Sequence, residues 1–329
     1  MNPPRLAFVG STHLASPWLL HALRRHGTFE AVCDENPRRE GRLPQARWTY
    51  TDLDSLLREA EPDGVVLHLP ERERHRVIKR CLSAGVSVLI AGVPCTAAKF
   101  ERLSLIANLA GQRVIAVSPM RFAPAILLAR RLIESGRFGQ PMSIVLRSTR
   151  RGAPREGLDD QGPVPVDQVF EAADLLHVIA GALSEVTCVA QPEGAVLSVG
   201  RTTTNTPVSI LLHASGPPET LGLELEMRST DGSCLRIERS GALNCGNGSR
   251  VDAHYQPSLV TSDPAVELGY DGLMGEFVRQ LGSGCPLDPT TPDILFAAEA
   301  ILSSARTGRR VQVKSAEAER RPSDPVRGV

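Results

Sequence analysis

The chain has 329 residues, 42% of them apolar and 22% charged, with 37 basic residues balanced by 37 acidic ones. That length suits two cores of ordinary domain size, and the zero formal charge supplies no electrostatic footprint for nucleic acid or an anionic membrane. No apolar run reaches the roughly 18 residues of a membrane span, and the seven scattered cysteines form no Cys-x-x-Cys pair. The chain also passes from Met1-Asn-Pro-Pro4 straight into a strand without a signal peptide. These features read as a cytoplasmic protein with reduced thiols, no structural zinc and a small-molecule partner.

Over the first 120 residues, short apolar strands alternate with helical patterns. Leu6 to Val9, Phe29 to Cys33, Gly64 to Leu69, Val86 to Ile90 and Arg113 to Val117 are the expected strands. Helices are expected near 15–26, 52–60, 73–84 and 97–110. This βαβ rhythm predicts a doubly wound parallel sheet.

The first strand feeds Gly10-Ser-Thr-His-Leu-Ala15, where a dinucleotide-binding fold carries G-x-G-x-x-G. Gly10 can make the tight turn. Thr12 puts a β-branched side chain where the backbone would approach a pyrophosphate, and Ala15 crowds the helix against the strand. Asp34 ends the second strand, 24 residues after Gly10, near the spacing at which a carboxylate accepts hydrogen bonds from an adenosine ribose. With Glu35 it favours NAD over NADP, while Arg38 and Arg39 keep NADP open. The same Asp-Glu-Asn-Pro run is also an ordinary turn composition.

From about Pro141 the pattern changes to alternating runs such as Ser143-Ile-Val-Leu-Arg147, Glu185 to Ala190, Val208 to His213 and Leu221 to Met227, separated by Gly, Pro and Ser clusters. These predict an antiparallel sheet interrupted by helices near 124–135, 167–180, 269–281 and 292–307. The division expected is a Rossmann-like unit over 1–122, an α+β unit over 123–315 with a polar loop at about 150–166, and a disordered charged tail over 316–329. Within the second unit, Asp167, Glu171 and Asp174 recur at i, i+4 and i+7, so one helical face carries three carboxylates amid Val169, Phe170, Ala172, Ala173, Leu175 and Leu176. Such a stripe suits a solvated surface or a cleft wall; buried, its carboxylates could exchange protons as general acid or base.

Five segments stand in order: Asp63-Gly-Val-Val-Leu-His-Leu-Pro70, Gly85-Val-Ser-Val-Leu-Ile-Ala-Gly-Val-Pro94, Pro119-Met-Arg-Phe-Ala-Pro124, Ile133-Glu-Ser-Gly-Arg-Phe-Gly139, and Gly275-Glu-Phe-Val-Arg279 with Ser303 to Val311. Together they resemble the glucose-fructose oxidoreductase and inositol dehydrogenase family, often called Gfo/Idh/MocA, over almost the whole chain. The resemblance implies an NAD(P)-binding Rossmann domain, an open antiparallel sheet behind it, dimers or tetramers formed through that sheet, and hydride transfer on a sugar or cyclitol. It further implies that Leu69, Pro70, Val93, Pro94 and Arg121 line the cofactor side.

Three positions depart from the family pattern. Where it carries a lysine before the proline of the second segment, this chain has Val93, and only Lys79, Lys99 and Lys314 occur among its 37 basic residues. Where it often carries a histidine four residues past the first proline, this chain has Arg74, with His75 beside it. Where its Asp-x-Gly-x-His-x-x-Asp signature carries histidine, this chain has Glu171, flanked by the expected Asp167 and Asp174. Glu171, Asp174 and Asp167 are therefore the catalytic candidates of an NAD(P)-dependent oxidoreductase with a rebuilt proton-transfer site. The alternative is a non-catalytic nucleotide or ligand sensor on the same fold. No histidines stand at metal-ligand spacing.

Overall fold

The computed structural model describes residues 3–11, 15–34, 46–149, 163–192, 194–214, 222–247, 251–258, 262–283 and 290–315. Its first half is β1 (Arg5–Gly10), α1 (Pro17–His26), β2 (Thr28–Cys33), β3 (Trp48–Tyr50), α2 (Leu53–Glu59), β4 (Gly64–His68), α3 (Glu71–Ser83), β5 (Ser87–Ile90), α4 (Ala97–Leu109) and β6 (Val114–Ala116). The six strands form one parallel sheet in the order β3-β2-β1-β4-β5-β6. Central strands of such a sheet are covered on both faces, which is why β5 and all but the last residue of β4 are buried without alternation. The order reverses between β1 and β4, and that switch point opens the crevice in which open α/β sheets bind ligands. β3, which is not among the expected strands, is three residues long and only partly covered, too short to show a strand pattern.

A short 3-10 turn over Pro119–Phe122 leads to α5 (Pro124–Glu134), β7 (Pro141–Thr149), α6 (Val166–Ala180), β8 (Leu183–Gln191), β9 (Ala195–Thr202), β10 (Pro207–His213), β11 (Leu223–Ser229), β12 (Cys234–Ile237), β13 (Leu243–Gly246), β14 (Val251–Tyr255), α7 (Pro264–Glu267), α8 (Tyr270–Ser283), α9 (Thr291–Thr307) and β15 (Val311–Gln312). Nine strands make the second sheet, ordered β14-β13-β12-β11-β7-β10-β9-β8-β15, and every pair is antiparallel except β10 with β7. The chain is thus α/β, a Rossmann-like parallel sheet joined to a mainly antiparallel one.

Alternation gives the second sheet two unlike faces. Ile144, Leu146, Ile210, Leu212, Leu225 and Met227 point inward and share a core with Phe170, Leu176, Ile294 and Ile301 of α6 and α9. On the opposite face, the cross-strand row Val189, Leu197 and Leu211 lies beside Val199, and Val189, Leu197 and Val199 are exposed.

Helix α8 crosses back to the first sheet. Its Leu273, Met274 and Phe277 are buried against Leu6, Phe8, Leu19, Leu23 and Val66. Gly64 opens β4 beneath it; a Cβ there would lie 2.7 Å from the Phe277 ring.

The six described cysteines form no disulfide among themselves. Burial pushes the Cys81 and Cys95 thiols up to about 12, so both stay protonated and poorly nucleophilic at neutral pH. Iodoacetamide at pH 8 is therefore expected to spare both in the native chain and to label both in denaturant; rapid native labelling of either, read by peptide mass, would contradict this burial.

Candidate functional site

At the β1 C-terminus, Gly10 adopts φ +138°, and a Cβ there would stand 1.9 Å from the His68 carbonyl oxygen. Only glycine lets β1 and β4 end side by side at the switch point. The Ala15 N–H donates to the Ser11 carbonyl at 3.2 Å, and the Ala15 methyl is buried in the core under α1. Thr12 lies outside the described residues, as do Glu35, Arg38 and Arg39.

Asp34 follows β2 directly. Its N–H donates to the Tyr50 carbonyl at 3.1 Å, and the residue is 3% exposed. A cleft of about 650 Å³ opens beside it, lined by Gly10, Ser11, Asp34, Leu69 and Pro70 on the strand ends and by Arg76 and Lys79 on α3. A glycine turn with backbone N–H donors at one end and a carboxylate acceptor one strand over suit the pyrophosphate and ribose of a dinucleotide. These residues fit such a group.

Further along the strand ends, the expected cofactor-side residues Leu69 and Val93 are bound together by Arg74, one of the departures from the family pattern. Arg74, on the first turn of α3, donates from Nε to the Leu69 carbonyl at 2.7 Å and from Nη1 to the Val93 carbonyl at 2.5 Å. Its two terminal nitrogens also bind both oxygens of Asp167 at 2.8 Å, and Asp167 accepts the Val93 N–H at 2.8 Å. The carboxylate packs so closely that a Cβ on Gly92 would lie 2.5 Å from Asp167 Oδ1. Burial opposes the charge on Arg74, but Asp167 and then Glu71 outweigh it and hold the guanidinium above its ordinary pKa. The Gly92-Val93-Pro94 turn is thus tied to α6 by a fixed cation that cannot release a proton at neutral pH.

A second bridge lies deeper. Asp174 pairs with Arg121 of the 3-10 turn and accepts the Ser118 N–H at 2.7 Å, its side chain having no exposed surface. Arg121 therefore points into α6, its side chain one-tenth exposed. Glu171 stands one turn from each aspartate, partly buried, and accepts a hydrogen bond from the Ser118 hydroxyl at 3.3 Å. Ser118 Oγ in turn accepts the Met120 N–H at 3.1 Å.

The structure thus brings Asp167, Glu171 and Asp174 to one face of α6, packed on the ends of β5 and β6, and distinguishes them. Asp167 and Asp174 each form an ion pair with an arginine of the first half, while Glu171 faces a hydroxyl. Neither arginine's partner was legible from spacing, since 93 residues separate Arg74 from Asp167 and 53 separate Arg121 from Asp174. The available signal was Arg74 itself, a cation standing near a turn that lacks one. Among the described residues, no cluster of His, Cys, Asp or Glu is arranged to hold a metal ion.

No protein-family model and no curated protein matches the sequence. Solved structures do match the fold. An oxidoreductase from Agrobacterium radiobacter, in complex with NAD+, L-tartaric acid and magnesium, superposes with a TM-score of 0.80 at 15% identity, covering 95% of this chain and 99% of its own. An aldose-aldose oxidoreductase from Caulobacter crescentus complexed with glycerol gives 0.77 at 15% identity, over 94% and 100%. A levoglucosan dehydrogenase in complex with NADH and levoglucosan gives 0.76 at 15% identity, over 95% and 100%. The two-sheet architecture of this chain is thus the fold of these solved oxidoreductases over 94–95% of its length.

Proposed function

We propose that the chain is an NAD(P)-dependent oxidoreductase acting on a sugar, cyclitol or related small polar substrate, with Glu171 in place of the missing lysine and histidine as its acid and base. The observation that carries this reading is the switch-point cleft, where the Gly10 turn and the Asp34 carboxylate, an acceptor for ribose hydroxyls, stand together as a dinucleotide requires, NAD before NADP. Residues 1–122 would form the dinucleotide-binding unit and 123–315 the substrate and oligomerisation unit. The nicotinamide, when bound, supplies or accepts the hydride.

The chain's own residues supply the rest. Gly10 and Ala15 open and close the turn toward the phosphates, and Asp34 accepts the ribose hydroxyls. Leu69, Pro70, Val93 and Pro94 form an apolar floor along the strand ends, fixed by Arg74. Glu171 takes the substrate hydroxyl proton or returns it, with the Ser118 hydroxyl orienting its carboxylate. Asp167 and Asp174 hold α6 in register against Arg74 and Arg121, and Arg74 contributes a fixed positive charge beside the site.

One observation favours the sensor reading: both signature aspartates are committed to arginines, and Val93 offers no ammonium. Titration with NADH and NADPH, followed by fluorescence or heat, separates the readings. Tight NADH binding, weakened about tenfold or more by Asp34→Ala through lost ribose hydrogen bonds, with turnover of a polyol or keto-sugar, is the expected result. No binding at millimolar cofactor overturns the oxidoreductase reading; tight binding without turnover across such substrates favours the sensor.

The open face of the second sheet supports self-association, because Val189, Leu197 and Val199 would otherwise leave apolar surface in water. Among the described residues no helix is long and apolar enough to cross a membrane.

A further inference from the structure

The Val93-Pro94 turn after β5 has no backbone ladder of its own. The N–H groups of Gly92, Val93, Cys95 and Thr96 reach no backbone carbonyl among the described residues. The helix that follows starts equally bare, since the Thr96 side chain, at the N-cap of α4, makes no capping hydrogen bond. What holds this segment comes from elsewhere in the chain.

At its start, Asp167 of α6 accepts the Val93 N–H and Arg74 of α3 binds the Val93 carbonyl. At its end, Glu299 of α9 accepts the Ala97 N–H, the first of α4, at 2.8 Å. These two residues are 202 apart in sequence, so a helix of the first half takes its cap from the second. A carboxylate suits that place, because it satisfies an orphan donor and faces the positive end of the helix dipole.

Glu299 can act as a fixed point because α9 is held near both ends. The Thr291 hydroxyl donates to the Ala116 carbonyl of β6 at 3.3 Å, and the Ser304 hydroxyl oxygen accepts the Cys188 N–H of β8 at 2.8 Å. Between them, Ile294, Ala298 and Ile301 are buried in the core shared with α6 and the second sheet. Glu299 is partly buried and Ala97 has no exposed surface, so water is poorly placed to replace the carboxylate.

We propose that Glu299 is a positioning residue for the nicotinamide half of the cofactor site. By holding the first N–H of α4 it fixes the turn whose Val93 and Pro94 floor that half, and it touches neither cofactor nor substrate. This rests on the dinucleotide reading of the Asp34 cleft. The adenosine half lies apart, since no residue of 92–97 lines that cleft.

The test compares NADH with ADP-ribose, which keeps the adenosine, pyrophosphate and second ribose but lacks the nicotinamide, by heat of binding to the full chain. Glu299→Ala should weaken NADH about tenfold, the scale of one lost hydrogen bond, and leave ADP-ribose unmoved. Glu299→Gln should match the parent, because its amide oxygen can still accept the Ala97 N–H, whereas Glu299→Asp, one methylene short, should fall with the alanine variant. If the alanine variant does not fold, the glutamine and aspartate variants decide on the same split. Equal loss of both ligands would mark a general loosening of α4, and unchanged NADH affinity a dispensable cap. Either result overturns the inference alone, as does a glutamine variant that behaves like alanine. A parent that binds no NADH overturns the oxidoreductase reading, and this inference with it.

Discussion

Arg121→Met is expected to destabilise the chain by about 3–5 kcal/mol, the usual penalty for stripping one partner from a buried ion pair. The Asp174 carboxylate has no exposed surface, so without the guanidinium it would remain charged in the core or fold only after taking up a proton. Chemical denaturation of the full chain measures the loss. The double variant Arg121→Met/Asp174→Leu should recover much of it, because the two substitutions act on one interaction. A single variant within about 1 kcal/mol of the parent would show the bridge to be dispensable. Arg74→Met should cost less, since the Asp167 side chain is 33% exposed and water screens part of its charge.

On the reading of Glu171 as acid and base, Glu171→Gln is expected to lower kcat by about 10²- to 10⁴-fold, the range for removing a positioned proton carrier. The amide keeps the size of the side chain and can still accept the Ser118 hydroxyl, so affinity for NADH should not move. That separation matters, because a variant that merely disturbed α6 would change cofactor binding as well. If kcat is unchanged, Glu171 does not carry the proton. Asp174→Asn offers the contrast: its loss should appear chiefly in the denaturation midpoint, since no substrate atom reaches a carboxylate with no exposed surface.

Much of the parallel sheet was legible because its central strands are short, continuous apolar runs, and a fully buried strand needs nothing else. Gly10 and Asp34 were legible for a related reason: a turn and a ribose contact are local demands, fixed by a few residues around a strand end. The helical spacing of Asp167, Glu171 and Asp174 likewise placed three carboxylates on one face. What spacing could not convey was their partners. An ion pair between α3 and α6 leaves no mark near either residue, so Asp167 and Asp174 read as equals of Glu171 until the arginines were seen. Strands β12, β13 and β14 were hard to read because they are four or five residues long and half open to water, with Arg236, Asn244 and Val251 exposed. The destination of α8 was equally hidden, since an apolar helical stripe does not say which sheet it covers.

That destination bears on how the chain assembles during synthesis. Leu6 and Phe8 leave the ribosome more than two hundred and fifty residues before the helix that covers them with Leu273, Met274 and Phe277. Until then one side of the parallel sheet is covered by α1 but keeps the rest of its apolar face open, and the intervening antiparallel sheet must form alongside it. Contacts of such long sequence separation slow folding and prolong the exposure of sticky surface, so the nascent first half is the stage at which this chain most needs a chaperone.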